Sequence, residues 1–156
     1  MDGSELAKQI QRDLVQSVLR RLQLGFGHQI PDSTPNEQAA TIGEAEVRFA
    51  IRDAAARADG LPRDYLVLRE AREASRPGRP WKYWYGIVHV RADGHEFYEA
   101  FHGHAHPDGP FEDHYHLKVN NRTVERRLMS PTHVETALIE LMGRYWERVE
   151  EDEANQ

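Results

Sequence analysis

A chain of 156 residues, 39% hydrophobic and 29% charged, is long enough to bury one core and too short for two independent ones, so a single domain spanning 1–156 is expected. No apolar run approaches the roughly 20 residues of a membrane span. The start MDGSELAKQIQRD lacks the basic and apolar stretches of a secretory signal, and the lack of cysteine excludes disulfides, so a cytoplasmic protein with no membrane partner is expected. The net charge of -6 would disfavour a polyanion if it were spread evenly. It is not: residues 61 to 91 hold seven Lys or Arg against three acids, and residues 92 to 156 hold six against fourteen.

In chain order, Ser4 can cap a helix whose apolar positions Leu6, Ile10, Leu14, Val18 and Leu22 recur at helical spacing, with Gly25 placed to stop it. HQIPDSTPNEQ reads as a loop or short linker. Thr41 and Glu44 have capping-box spacing, and Val47, Ala50, Ile51, Ala54 and Ala58 form a stripe ending near Gly60, which predicts a second helix and a helical part over 1–60. From Tyr65 the period changes. DYLVLREARE and WKYWYGIVHVR read as strands around the break SRPGRP; after the turn ADG comes HEFYEAFHGHAH, and after the loop PDGPFED comes HYHLKVN. A turn at Asn120 and Asn121 leads to a last short strand around RTVERRLM. Ser130 and Pro131 occupy the cap and first-turn positions of a third helix over 131–150, with Val134, Leu138, Leu141, Met142, Tyr145 and Val149 as its buried stripe. The fold class expected is α+β: an antiparallel β-meander of four to five strands over 64–122, two N-terminal helices and one C-terminal helix, with the helices on one face of the sheet.

Five of the nine histidines lie between Phe101 and Val119. On a strand, His102, His104 and His106 share one face while Phe97 and Phe101 share the other; on the next strand His114, His116 and Lys118 oppose Tyr115, Leu117 and Val119. A hairpin centred on Pro110 would set His106 opposite His114 and His104 opposite His116, with Cβ atoms about 5 Å apart. Three uses of such a cluster compete. His102, His104, His106, His114 and His116, with Glu112 or Asp113 nearby, can ligate a divalent transition metal such as Zn, Ni, Cu or Mn. His104, His114 and His116 can instead act as acid-base groups on RNA, with Lys82, Arg91 and Lys118 binding phosphate. The third use is none, a solvated face that happens to be rich in histidine. HYH also fits the His-hydrophobic-His pattern of single-strand endonucleases that use a helical tyrosine, but Tyr145 lies on the apolar stripe and reads as core.

RPGRPWKYWY interleaves Arg76, Arg79 and Lys82 with aromatic rings, a composition suited to nucleic acid, although alternation sends Trp81, Tyr83 and Tyr85 to one face and Lys82 and Trp84 to the other. The order YLVLREARE, WKYWYGIVHV, ADG, EFYEAF, EDHYH and a closing helix PTHVETALIELMGRYW, over about residues 64 to 149, resembles the TumE-like toxins of toxin-antitoxin pairs. Lys82 and Tyr83 match that family's Lys-Tyr strand, and His114 and His116 its His-x-His pair. Where the family has Asp-Asn, this chain has YEAFHGH, and its N-terminal helices are additional. The resemblance implies a toxin-like, RNA-cleaving nuclease with RNA and a cognate antitoxin as partners. The alternative is a non-catalytic metal-binding or partner-binding module in which the first two helices supply an antitoxin or homo-oligomer interface.

Overall fold

The computed structural model describes residues 2–21, 29–32, 42–51, 63–78, 80–104, 112–131 and 133–156. Two helices, α1 (Gly3–Arg21) and α2 (Val134–Ala154), flank seven strands: β1 (Gln29–Asp32), β2 (Ile42–Ala50), β3 (Tyr65–Glu73), β4 (Pro80–Val90), β5 (Glu96–His104), β6 (Glu112–Val119) and β7 (Arg122–Leu128). Every strand pairs antiparallel with its neighbour in sequence, in the order β1-β2-β3-β4-β5-β6-β7. The fold is therefore α+β, with six long strands, one short edge strand and a helix towards each end of the chain. Neither helix is long and apolar enough to cross a membrane.

β2 replaces the predicted second helix. In IGEAEVRFA, Gly43, Ala45, Val47 and Phe49 are buried while Glu44, Glu46 and Arg48 lie half out, a period of two that only a strand separates cleanly. On a helix, Phe49 would point away from the Val47, Ala50 and Ile51 stripe. Thr41, Ala54, Ala58 and Gly60, which completed the helical pattern, lie outside the described residues. The expected loop HQIPDSTPNEQ contributes β1, whose Pro31 is tolerated at the sheet edge.

α1 is capped by Asp2 rather than Ser4. The Glu5 N–H donates to Asp2 Oδ1 at 2.8 Å and the Asp2 N–H to Glu5 Oε2 at 3.3 Å, a reciprocal capping box. Of its expected stripe, Leu6, Ile10, Leu14 and Val18 are buried in the core, while Leu22 and the expected stop at Gly25 lie outside the described residues. The helix lies so close to β2 that a Cβ on Gly43 would stand 2.7 Å from Leu6 Cβ. α2 starts at Val134 with His133 at the cap position, later than Ser130 and Pro131 suggested. Asn120 and Asn121 take the left-handed conformation of a tight hairpin, with φ of 50° and 65°.

Both helices cover one face of the sheet. That face carries Val47 and Phe49 from β2, Leu66 and Leu68 from β3, Tyr83, Tyr85 and Ile87 from β4, Phe101 from β5 and Tyr115 from β6, meeting Leu138, Leu141, Tyr145 and Val149 of α2. Asp64, fully buried, ties the layers together: it accepts from the Tyr145 hydroxyl at 2.6 Å and the Val90 N–H at 3.0 Å, with His89 Nδ1 also at 3.0 Å. Burial alone would raise the Asp64 carboxyl, but these hydrogen bonds outweigh it and hold the group below its ordinary value of 3.8. A carboxylate held low adds stability that is fully present above that ordinary value and is lost as pH falls through the lower folded value. Asp64→Asn is therefore expected to cost about 1–3 kcal/mol at neutral pH, and chemical denaturation across the acid range should show the variant losing less stability below about pH 4 than the parent.

Candidate metal centre

The face of the sheet away from the helices carries the histidines, as their alternation with Phe101, Tyr115 and Leu117 requires. Tyr115 pairs with Phe101, His114 with His102, His116 with Ala100, and His104 with Glu112. The pairing is thus centred two residues earlier than Pro110, and the expected partnership of His104 with His116 does not occur: His104 faces Glu112, four residues along β6. The cause lies on the other face, where Phe101 and Tyr115, both fully buried with centroids 5.4 Å apart, fix the register. His106 lies outside the described residues.

The observed register brings together three imidazoles. One nitrogen from each of His102, His114 and His116 lies within 4.8 Å of the other two, and His102 Nε2 is 2.9 Å from His116 Nδ1. Imidazole nitrogens on a tetrahedral zinc stand about 3.3 Å apart, so the triad needs only small ring movements to close on an ion. His114 and His116 are 5% and 6% exposed, and His114 Nδ1 and His116 Nε2 have no hydrogen-bond partner among the described residues. Aromatic rings wall the group: Trp84 stacks on His102 at 4.5 Å and 18° and meets His116 edge-on at 5.7 Å, with Tyr98 at 5.8 Å from His116. The Tyr98 ring can lie there because Gly86 beneath it has no side chain; a Cβ at that position would be 2.8 Å from the Tyr98 hydroxyl oxygen.

Burial lowers all three imidazoles, which keeps them neutral and available as ligands at neutral pH. His102 falls to about 3, with His114, His116, His104 and Arg126 adding like-charge repulsion. His116 falls to about 4, mainly through burial and then Lys118. His114 is lowered by burial and then Arg126, against a smaller opposing pull from Glu112.

The other expected residues divide. His104 shares the triad's face without joining it. Lys82 is exposed, directly across from His104 on β4, and Lys118 lies two residues beyond His116 on the same face. Arg91 does not belong to the site: its guanidinium lies over Phe97 at 5.7 Å, with Nε 3.7 Å from Asp152 of α2, on the helix side. Tyr145 is core, as its spacing predicted. Comparison of the chain with protein-family models, curated proteins and solved structures finds no match.

Sequence reasoning missed Trp84 and Tyr98 as walls and Arg126 as a neighbour. A regular hairpin through Asn120 and Asn121 would place Glu125 opposite His116, but a bulge at Leu117 and Lys118 shifts the pairing and puts Arg126 there. Arg126 also reaches Glu112 at 3.1 Å. The bulge therefore exchanges an acidic neighbour of the triad for a basic one.

Gly86→Ala tests the aromatic wall. The added methyl would push Tyr98 from its seat, and urea denaturation should show a loss of about 1–3 kcal/mol, with most of it recovered when Tyr98 is also shortened to Leu.

Proposed function

We propose that this chain binds one transition-metal ion through His102, His114 and His116, in the manner of a three-histidine site that keeps a coordination position open for water or substrate. The observation that carries the reading is the pair of buried imidazole nitrogens, His114 Nδ1 and His116 Nε2, without a hydrogen-bond partner among the described residues, in a group of three that already converges. Buried polar atoms are ordinarily satisfied, and an ion satisfies all three rings together. Three neutral nitrogen ligands and no carboxylate favour Zn, Cu or Ni over Mn, which prefers oxygen. An ion held this way supplies Lewis acidity to a bound water or to a phosphoryl oxygen.

We extend the proposal to the reaction class that the resemblance to TumE-like toxins motivates, metal-assisted cleavage of RNA. Two features support a polyanionic substrate: Lys118 lies on the triad's face beside His116, and Arg126 stands opposite His116. The non-catalytic alternative uses the same centre without the cleavage.

Metal analysis by mass spectrometry on untagged protein should find about one equivalent of Zn, Cu or Ni. His102→Ala, His114→Ala and His116→Ala should each remove most of it, and His104→Ala should not. Retention of metal in the triad variants, with folding verified by circular dichroism, would refute the centre. In a cleavage assay on single-stranded RNA, activity should disappear with chelator and with His116→Ala, and fall with Lys118→Ala; a loaded protein that leaves RNA intact would keep the metal centre and discard the nuclease.

A further inference from the structure

The outward face of α2 carries apolar residues that the core does not use. Ile139 and Trp146 are 57% and 42% exposed, and Gly143 lies exposed between them. A Cβ built on Gly143 would meet nothing within 4 Å. Positions 139, 143, 146 and 150 recur at alternating steps of four and three, the spacing of a coiled-coil seam, so they form one line along the helix surface with a notch at the glycine. Glycine is the poorest helix former after proline, and no contact among the described residues requires one there.

The charges of α2 are sorted between its two faces. The helix contains seven acids and two arginines, and both arginines turn towards the sheet. Arg144 lies over the Tyr115 ring at 4.8 Å and pairs with Glu140 at 3.0 Å; Arg148 lies over Phe97 at 5.0 Å and pairs with Glu99. Asp152 turns inward as well, accepting from the Ala92 N–H at 3.2 Å. Glu147, Glu150 and Glu151 are exposed, and none forms an ion pair with a described residue. Glu150 and Glu151 stand at the C-terminal end of the helix, where the free carbonyls already concentrate negative charge, and the last turn holds no basic residue. One face of α2 thus combines exposed apolar side chains, an unpacked glycine and acids without a cation.

We infer that this face docks a cationic amphipathic helix of another protein, with its apolar stripe on Ile139 and Trp146, its backbone brought close at Gly143 and its lysines or arginines against Glu147, Glu150 and Glu151. Apolar residues at this spacing are the anchors of helix-on-helix recognition, Trp is a frequent hot spot of interfaces, and glycine lets a second backbone approach. Charges beside a seam select the partner, and Glu147 occupies that position next to Trp146. The sorting of charge decides among occupants. A second copy would bring the same acidic surplus, and nucleic acid or an anionic lipid surface would be repelled. The face belongs to the helix layer, across the sheet from the triad, so the inference depends on neither the metal nor the reaction.

Isothermal titration of the full chain with a synthetic peptide of leucine and lysine in heptad spacing, roughly 20 residues long so that it can form a helix, tests the inference at near-physiological salt. Peptides with glutamate in place of lysine, and with serine in place of leucine, are the controls. One-to-one binding of the leucine–lysine peptide and of neither control is expected. Gly143→Gln fills the notch and should weaken binding about tenfold or more, while raising the thermal midpoint of the free protein because glutamine propagates a helix better than glycine. Glu147→Gln combined with Glu150→Gln should weaken binding and flatten its salt dependence. Metal content should be the same in the parent and these variants, so failure here leaves the triad reading untouched. Absence of binding by the leucine–lysine peptide, undiminished binding by Gly143→Gln, or equal binding of either control would overturn the inference. A dimer of the free chain in sedimentation that Gly143→Gln dissociates would also overturn it, by giving the face to a second copy.

Discussion

The site depends on the pairing of Phe101 with Tyr115. Both rings are fully buried on the helix side of the sheet, and the Tyr115 hydroxyl is held further by donating to Glu99 at 2.7 Å while accepting from Arg144 of α2 at 3.3 Å. Sliding β6 by one residue would put Tyr115 on the outer face and drive the histidines into the core. Sliding it by two would keep the faces but part His114 from His102. The outer face has no comparable anchor among the described residues of β5 and β6, because imidazoles of similar shape at every second position would fit several registers about equally well. Hydrophobic packing on one side of a sheet thus decides which polar groups meet on the other.

The helix side has its own polar demands. α2 brings Tyr145, Arg144 and Arg148 against a sheet face that contains Asp64 and Glu99, both essentially buried. Each acid is met: Asp64 by Tyr145 and the Val90 N–H, Glu99 by Tyr115 and Arg148. Burying a charge without partners is expensive and burying it with several is tolerated, so these contacts orient the helix as well as attach it. Glu70 with Arg72 repeats the arrangement at the other end of β3. The histidine triad differs from these in that none of its three rings hydrogen-bonds a carboxylate among the described residues.

Strands β3 to β6 were legible because they are rich in aromatic and β-branched residues and turn residues separate them, and β7 because it follows the turn at Asn120 and Asn121. β2 was not, since three alanines and a capping-box spacing imitate a helix, and the decisive period of two spans only Gly43 to Phe49. The membership of His102, His114 and His116 on one face followed from alternation alone. Which of five histidines converge did not follow, because a loop of seven residues leaves the register open and only the Phe101–Tyr115 packing closes it. Arg126 was hidden by the bulge, which no local sequence signal announced.

All three candidate ligands sit on one hairpin, with His102 and His116 only 14 positions apart in the chain, whereas the Tyr145–Asp64 contact that docks α2 spans 81. Closing the shorter span costs less chain entropy and is faster. The centre can therefore assemble before the helix layer is in place. An ion captured at that stage would favour the register in which His102 meets His114 over its slipped competitors, giving the outer face, for a time, the selecting role that Phe101 and Tyr115 hold in the finished fold. The order in which ion and chain meet would then influence the yield of native protein.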